Sequence, residues 1–237
     1  MHHLHFETID STNTYLKNNY QSHEDMTFVS ADHQTKGRGR SGRIWHDDKK
    51  KDLMFSLLLK DELLLEKFGS VSIVSAYTIL EVLKEYSDKD IAIKWPNDVY
   101  ADGKKICGIL LEAVSDDRLK CLVVGIGVNL NSVEFNNEYL RTPTSLKLET
   151  GKDIDIEEFQ SKVFDRLNDN LERLKNGHDF YEEISKHDYL KNKEAYCLIK
   201  GNKEKIKIIG IDSDYSLKII RNDEVTSISS GEISFHI

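Results

Sequence analysis

The sequence predicts an α+β protein: a mixed β-sheet with helices packed on it, followed by a small β-barrel. Three observations carry this. Ser70–Tyr86 and Ile156–Leu174 repeat apolar residues at helical spacing. Short apolar runs of strand length lie before and between them. After Ala195 the texture changes to alternating runs split by Gly-Asn, Asp-Ser-Asp and Arg-Asn-Asp-Glu turns, which suits a barrel of about five strands. A chain of 237 residues can bury a sizeable core, and a division into residues 1–190 and 191–237 is expected.

The elements follow in order. Ser11 and Thr12 suit the cap of a helix running to about Asn19. "TFVSAD" (27–32) and "LMFSLLL" (53–59) read as strands, and Ser70–Tyr86 as a buried helix. "IAIKW" (91–95), "ICGILLEA" (106–113) and "LKCLVVGIGVNL" (119–130) read as three more strands, the last two joined by a tight hairpin at "VSDDR". A long amphipathic helix over Ile156–Leu174 and a shorter one over Phe180–Leu190 complete the larger part. The opening "MHHLHF" reads as a tag scar or an exposed segment, because no carboxylate or cysteine accompanies its histidines.

Composition narrows the function. With 33 Lys+Arg against 41 Asp+Glu the chain carries −8, which argues against a general nucleic-acid binder. Three well-separated cysteines without a C-x-x-C exclude a disulfide scaffold or zinc framework, and no fixed metal cluster is expected. No apolar run has the length of a membrane span and no signal peptide is visible, so no membrane association and a cytoplasmic location are expected.

Against this acidic background, Lys36–Lys51 carries a local +5. Such a run is either a solvated loop or an anion trap. It contains Gly37-Arg38-Gly39-Arg40-Ser41-Gly42, a literal G-x-G-x-x-G. A dinucleotide site needs those glycines to open a helix that holds the pyrophosphate. Only ten residues, Arg43–Asp52, precede the next strand, and they include the five consecutive charges from Asp47 to Lys51. No crossover helix fits, so the dinucleotide reading fails. The phosphate-loop reading fails as well, because Arg43-Ile44 follows Gly42 where Lys-Ser/Thr is needed. What remains is an arginine-lined turn offering planar forks for carboxylate or phosphate. Trp45 beside it is either core packing or a face for a heteroaromatic ring.

Other constellations point the same way. "KWPND" places Lys94, Asn97 and Asp98 at a strand end, able to bind an anion and take a proton from an amine, or simply to form a surface turn. "GKKICGILLE" sends Lys104 and Lys105 into an apolar strand, costly for a lysine unless it meets an anion. Simple alternation puts Lys105 on the face of Cys107. Gly125 and Gly127 in "GIGVNLN" suggest close approach to the backbone, and Asn129 could read an anion or a base edge.

In this order, "STN" (11–13), "GRGRSGRIW", "KWPND", "KKICGILLE", "GIGVNLN" and "PTSL" (143–146) resemble the biotin–protein ligases, and "GEIS" resembles the close of that family's C-terminal barrel. The resemblance spans about Phe6 to the end. It implies a mixed-sheet biotin/lipoate-ligase fold with a small SH3-like barrel, and a two-step reaction in the cytoplasm. ATP and biotin would yield biotinyl-adenylate, with Mg²⁺ accompanying the nucleotide near Asn97. Biotin would then pass to a lysine of a biotin carboxyl carrier protein. Carried over by residue, Ser11, Thr12 and Asn13 would bind the ureido ring, and Gln34, Gly37, Arg38, Gly39 and Arg40 would form the biotin loop. Arg38 and Arg40 would also meet the nucleotide. Trp45 would stack on adenine and Asn129 would touch it. Lys105 would contact carboxylate and phosphoryl oxygen as the main electrostatic catalyst, and Gly108 would back the biotin. Lys94 and Asn97 would orient the phosphates, while Asp98 would polarise the acceptor amine.

Larger relatives carry an N-terminal winged helix-turn-helix. Only ten residues precede Ser11, so a ligase without repressor function is expected. Family members often pair through the central sheet, which allows a homodimer. The nearest rival is a lipoate ligase or octanoyl transferase, disfavoured by the polar "STN" and the arginines. A nucleic-acid module resting on the +5 loop is the rival from another class, disfavoured by the acidic total.

Overall fold

In a computed structural model, which describes residues 2–46, 48–135, 142–199, 202–229 and 235–236, two sheets organise the chain. The larger has seven strands: β1 (His2–Phe6), β2 (Thr27–Ala31), β3 (Leu53–Leu59), β4 (Ile91–Lys94), β5 (Asp98–Ala101), β6 (Lys104–Ser115) and β7 (Leu119–Val128). Their spatial order is β1-β2-β3-β7-β6-β5-β4. Only the β1–β2 pair is parallel, which makes the sheet mixed.

Helices cover the two faces unequally. On one face lie α2 (Glu62–Glu66), α3 (Phe68–Tyr86) and α5 (Ile156–Lys175), over a large core that includes Phe28, Phe55, Val124, Phe159 and Phe164. The α5 helix is well specified: Asp155 caps it, accepting from the Glu158 N–H, with acids in its first turn and Arg173 and Lys175 in its last. Among the described residues, the helix on the other face is α1 (Thr12–Asn19), seated on a small cluster of Leu16, Val29, Leu58, Cys121 and Val123. A single short helix leaves much of that face uncovered, and the site lies there. Short helices α4 (Leu146–Thr150) and α6 (Tyr181–Ser185) complete the helical set.

The second sheet is antiparallel with five strands, β8 (Glu194–Ile199), β9 (Asn202–Ile211), β10 (Leu217–Arg221), β11 (Glu224–Ile228) and β12 (Phe235–His236), in the order β11-β10-β9-β8-β12. Asn222 and Asp223 both adopt positive φ, the conformation a two-residue hairpin requires. Where the sheets meet, the Trp95 indole N–H donates to the Tyr215 carbonyl at 2.8 Å, and the Ile211 N–H donates to Asp188.

Some expectations need correction or addition. "HHLHF" is exposed, as expected, but forms a strand: β1 pairs with β2, His3 and His5 both meet the Ser30 hydroxyl, and the His3 ring stands edge-on to Phe164 at 5.2 Å. Burial, then the nearby His5, lowers the His3 pKa. The strand β5 and the helices α2 and α4 are additions, and α6 is shorter than Phe180–Leu190. "GEIS" at 231–234 falls outside the described residues.

Candidate active site

The floor of the uncovered face is a row of opposed strand positions, Asp98, Gly108, Gly127 and Met54, beside a second row of Leu110, Gly125 and Ser56. Each glycine admits a side chain that a Cβ would exclude. A Cβ at Gly127 would lie 2.5 Å from Trp45 Cε2, and one at Gly108 would lie 2.8 Å from Trp45 Cζ3. At Gly125 it would lie 2.1 Å from Asn13 Oδ1. The close approach that the sequence suggested is therefore made by the protein's own Trp45 and Asn13. The Trp45 indole N–H is buried and makes no hydrogen bond among the described residues.

Lys105 reaches this floor through a backbone irregularity. The β5–β6 register shifts between Val99 and Tyr100, pairing Val99 with Cys107 but Tyr100 with Lys105. The shift breaks alternation. Cys107 is fully buried in the core, while the Lys105 ammonium lies 3.0 Å from where a Gly108 Cβ would be. The expected shared face of Lys105 and Cys107 is thus overturned. Lys105 bonds Asp98 Oδ1 at 2.7 Å and stands 5.5 Å from the Trp45 ring centre. Lys104 points elsewhere, to Glu149.

At the start of α1, Ser11 acts as the N-cap, accepting from the Thr14 N–H. The Thr12 N–H and hydroxyl both donate to Gln34 Oε1. The Ser56 hydroxyl lies 2.5 Å from Asn13 Oδ1 and 2.7 Å from Thr12 Oγ1, and Asn13 Nδ2 donates to the Leu110 carbonyl and to Glu112. Ser11, Thr12, Asn13 and Ser56 are all buried. Ser56 and Glu112 were missed by sequence reasoning. A serine inside "LMFSLLL" was the only signal for the first, and Glu112 reads as the polar end of an apolar run.

The cationic loop is a compact hairpin rather than a glycine turn into a helix. The Trp45 N–H donates to the Gly37 carbonyl and the Gly39 N–H to that of Arg43, while Ser41 and Gly42 at its tip take positive φ. A Cβ at Gly37 would strike the Trp45 carbonyl oxygen at 2.5 Å. The loop's cations are largely paired, rather than free as in a solvated run. Arg38 pairs with Glu112, Lys36 with Asp10, Lys50 with Asp32 and Lys51 with Asp48. Arg40 donates to Asn97 Oδ1 at 3.0 Å, and Asn97 Nδ2 donates to the Ile109 carbonyl. Burial lowers the Arg40 pKa, the charge of Asp98 opposes this, and Arg43 reinforces it.

Behind Asp98, Lys94 is 3% exposed, and among the described residues its polar partner is the Tyr100 hydroxyl at 3.4 Å. Burial, then Asp98, pushes that phenol well above its usual range. Asn129 is buried and donates to the Thr144 carbonyl, so "PTSL" straps the β6–β7 ends together beside Lys105. Lys105, Asp98, Arg40, Asn97 and Trp45 therefore share one cleft, with the α1 network alongside. Asn129 makes a backbone contact, and Lys94 sits beneath. Among the described residues no group of three His, Cys, Asp or Glu could hold a metal ion, and no helix is long and apolar enough to cross a membrane.

The model of the "Biotin/lipoate A/B protein ligase family" matches residues 5–129. The chain is 30% identical to the "Bifunctional ligase/repressor BirA" of Bacillus subtilis, over 87% of this chain and 65% of that protein. It is 33% identical to the "Biotin--[acetyl-CoA-carboxylase] ligase" of Paracoccus denitrificans, over 63% of this chain and 65% of that one. It thus spans slightly less than two thirds of either relative. A solved biotin protein ligase of Aquifex aeolicus, in complex with biotin and ATP, superposes with a TM-score of 0.88 at 33% identity, covering 99% of this chain and 98% of that one. With the family model covering more than half the chain and the fold shared end to end, the chain belongs to the biotin/lipoate A/B protein ligase family.

Proposed function

We propose that the chain is an ATP-dependent biotin–protein ligase. In the first step a carboxylate oxygen of biotin attacks the α-phosphorus of ATP, giving biotinyl-adenylate and pyrophosphate. In the second, a lysine amine of a biotin carboxyl carrier protein attacks the activated carbonyl and AMP leaves. Two anions must meet, so fixed cations are the first requirement. One observation carries the reading: the register shift brings the Lys105 ammonium onto a glycine floor, 2.7 Å from Asp98 and beside Trp45.

The roles follow from placement. Lys105 and Arg40 neutralise carboxylate and phosphate, and Lys94, whose side chain meets the Tyr100 hydroxyl, supplies further positive charge below. Once phosphate oxygens draw Lys105 away, Asp98 is free to take the proton of the incoming amine. Ser11, Thr12, Asn13 and Gln34 hold the ureido end. Gly37, Arg38 and Gly39 belong to the covering hairpin, Gly108 to the floor. Trp45 receives adenine, with Asn129 close by. Mg²⁺ would enter with the triphosphate, carried mainly by phosphate oxygens and water, with Asn97 as the side chain that would help hold it. This reading treats residues 1–190 as the catalytic domain and 191–237 as the small barrel. It places the enzyme in the cytoplasm, free of nucleic acid, with pairing of two copies through the larger sheet.

The test is pyrophosphate release by the purified chain with ATP and biotin, then biotin transfer to a carrier domain, with lipoate in parallel. Turnover with biotin alone is expected. Turnover with lipoate alone would move the chain to another branch of the family, and none with either would end the proposal.

A further inference from the structure

Glu112 lies outside every role above, yet it joins three parts of the site. One oxygen accepts from Lys17 at 2.7 Å; the other accepts from Asn13 Nδ2 at 2.9 Å, and Arg38 Nη2 spans both, at 2.8 and 3.1 Å. These donors come from α1 and from the hairpin, whereas Glu112 stands on β6 with its side chain 18% exposed.

A carboxylate and a carbonyl can only accept hydrogen bonds. Glu112 and the Leu110 carbonyl, both facing one end of the Asn13 side chain, therefore force its amide nitrogen toward them and its oxygen toward Ser56. Asn13 Oδ1 in turn can only accept, so it claims the single Ser56 hydroxyl proton. Ser56 is then left to accept from Thr12, or Thr12 gives its proton to Gln34. The orientation of the Asn13 amide, and with it the Asn13–Ser56 hydrogen bond, is set by Glu112 together with the Leu110 carbonyl. The same carboxylate fastens the hairpin through Arg38.

We propose that Glu112 is a positioning residue that orients the Asn13–Ser56 hydrogen bond beside Thr12 and ties the covering hairpin to it. This rests on the biotin-ligase reading. A glutamine at 112 keeps the volume but can present an NH₂ to Asn13, which lets that amide turn over and presents the ligand with a scrambled set of donors and acceptors.

The experiment measures biotin KM, ATP KM and the rate of loss of preformed biotinyl-adenylate for wild type, Glu112→Gln, Arg38→Gln, the double variant and Lys17→Met. Wild-type adenylate formation is the control on the reading itself: without it the ligase proposal fails, whatever Glu112 does. Given that activity, Glu112→Gln is expected to raise biotin KM and adenylate loss about tenfold, the scale of a lost charged hydrogen bond, and to leave ATP KM within about twofold. Lys17→Met, which removes an ion pair but leaves Asn13 and Arg38 in place, should stay within about twofold of wild type on all three. Arg38→Gln should reproduce part of the adenylate loss, with less than additive effect in the double variant. Unchanged biotin KM and retention in Glu112→Gln would overturn the proposal, as would equal rises for both substrates or an equal effect from Lys17→Met. If Glu112→Gln does not fold, full additivity of Arg38→Gln with Glu112→Asp overturns it instead.

Discussion

Lys105 illustrates what single residues contribute. Its removal takes the ammonium nearest the floor and leaves Asp98 without its 2.7 Å partner. Lys105→Ala is expected to slow pyrophosphate release at least ~10²-fold while circular dichroism stays native, because preorganised charge is the main source of rate in such chemistry; an unchanged rate removes it from that role. A second expectation concerns pH. Burial pushes the Glu112 carboxyl up, but hydrogen bonds from Lys17 and Asn13 and the charges of Arg38 and Lys17 bring it below its ordinary 4.5. A depressed carboxyl stabilises above its unfolded pKa, and the effect is lost as pH falls through the folded one. Biotin affinity by calorimetry should therefore hold from neutrality to about pH 5 and weaken only below that. A midpoint near neutrality would assign the titration elsewhere. Lys105 was legible as a lysine entering an apolar strand, but not its side of the sheet. Two-residue periodicity has no term for a bulge, and the bulge is visible only once Tyr100 is paired with Lys105.

At the scale of elements, legibility follows how much of the burial pattern lies within the element itself. The β3 strand was bounded correctly by its own apolar run, and α5 to within a residue by its stripe and Asp155 cap. The β1 strand was missed because "HHLHF" has no apolar alternation and is defined by its partner: it is the outermost strand, its exposed histidines met by Ser30 and Phe164. The β5 strand, four residues beginning inside "KWPND", was hidden in what read as a turn. The hairpin at 37–45 was legible as a cationic loop and as no dinucleotide site, though not as something tied down. Its fastening consists of ion pairs to Asp10 and Glu112, distant in sequence. Hydrogen exchange should therefore show the Gly39 and Trp45 amides, both bonded within the hairpin, slowed before any ligand is added and slowed further by biotin with ATP. Free exchange in the unliganded protein would show that the hairpin is not closed in solution.

Across the whole molecule, the second sheet is coupled to the site through a short chain of contacts. Trp95 is the residue before the cis Trp95–Pro96 bond, in the turn that delivers Asn97 and Asp98 to the cleft. Its indole is 4% exposed, and its N–H reaches the Tyr215 carbonyl at the β9–β10 turn. The Tyr215 hydroxyl in turn accepts from the Phe180 N–H and donates to Asp179, ahead of α6. The smaller sheet thus grips both the turn that carries Asn97 and Asp98 and the segment leading to the boundary. The sequence showed the change of texture after Ala195, but not this grip, because it joins residues 120 apart. Trp95→Phe keeps the aromatic bulk and deletes only the donor, leaving the Tyr215 carbonyl without it. A loss of about 1–2 kcal/mol in denaturant unfolding is expected. Because the lost contact lies next to Asn97 and Asp98, biotin transfer to the carrier should slow more than the melting temperature alone explains. Biotin KM should stay near wild type, since Asn13 and Ser56 lie two strands away across β6 and β7. A variant that loses stability but transfers biotin at the wild-type rate would show that the smaller sheet supports the fold without shaping the Asn97–Asp98 turn.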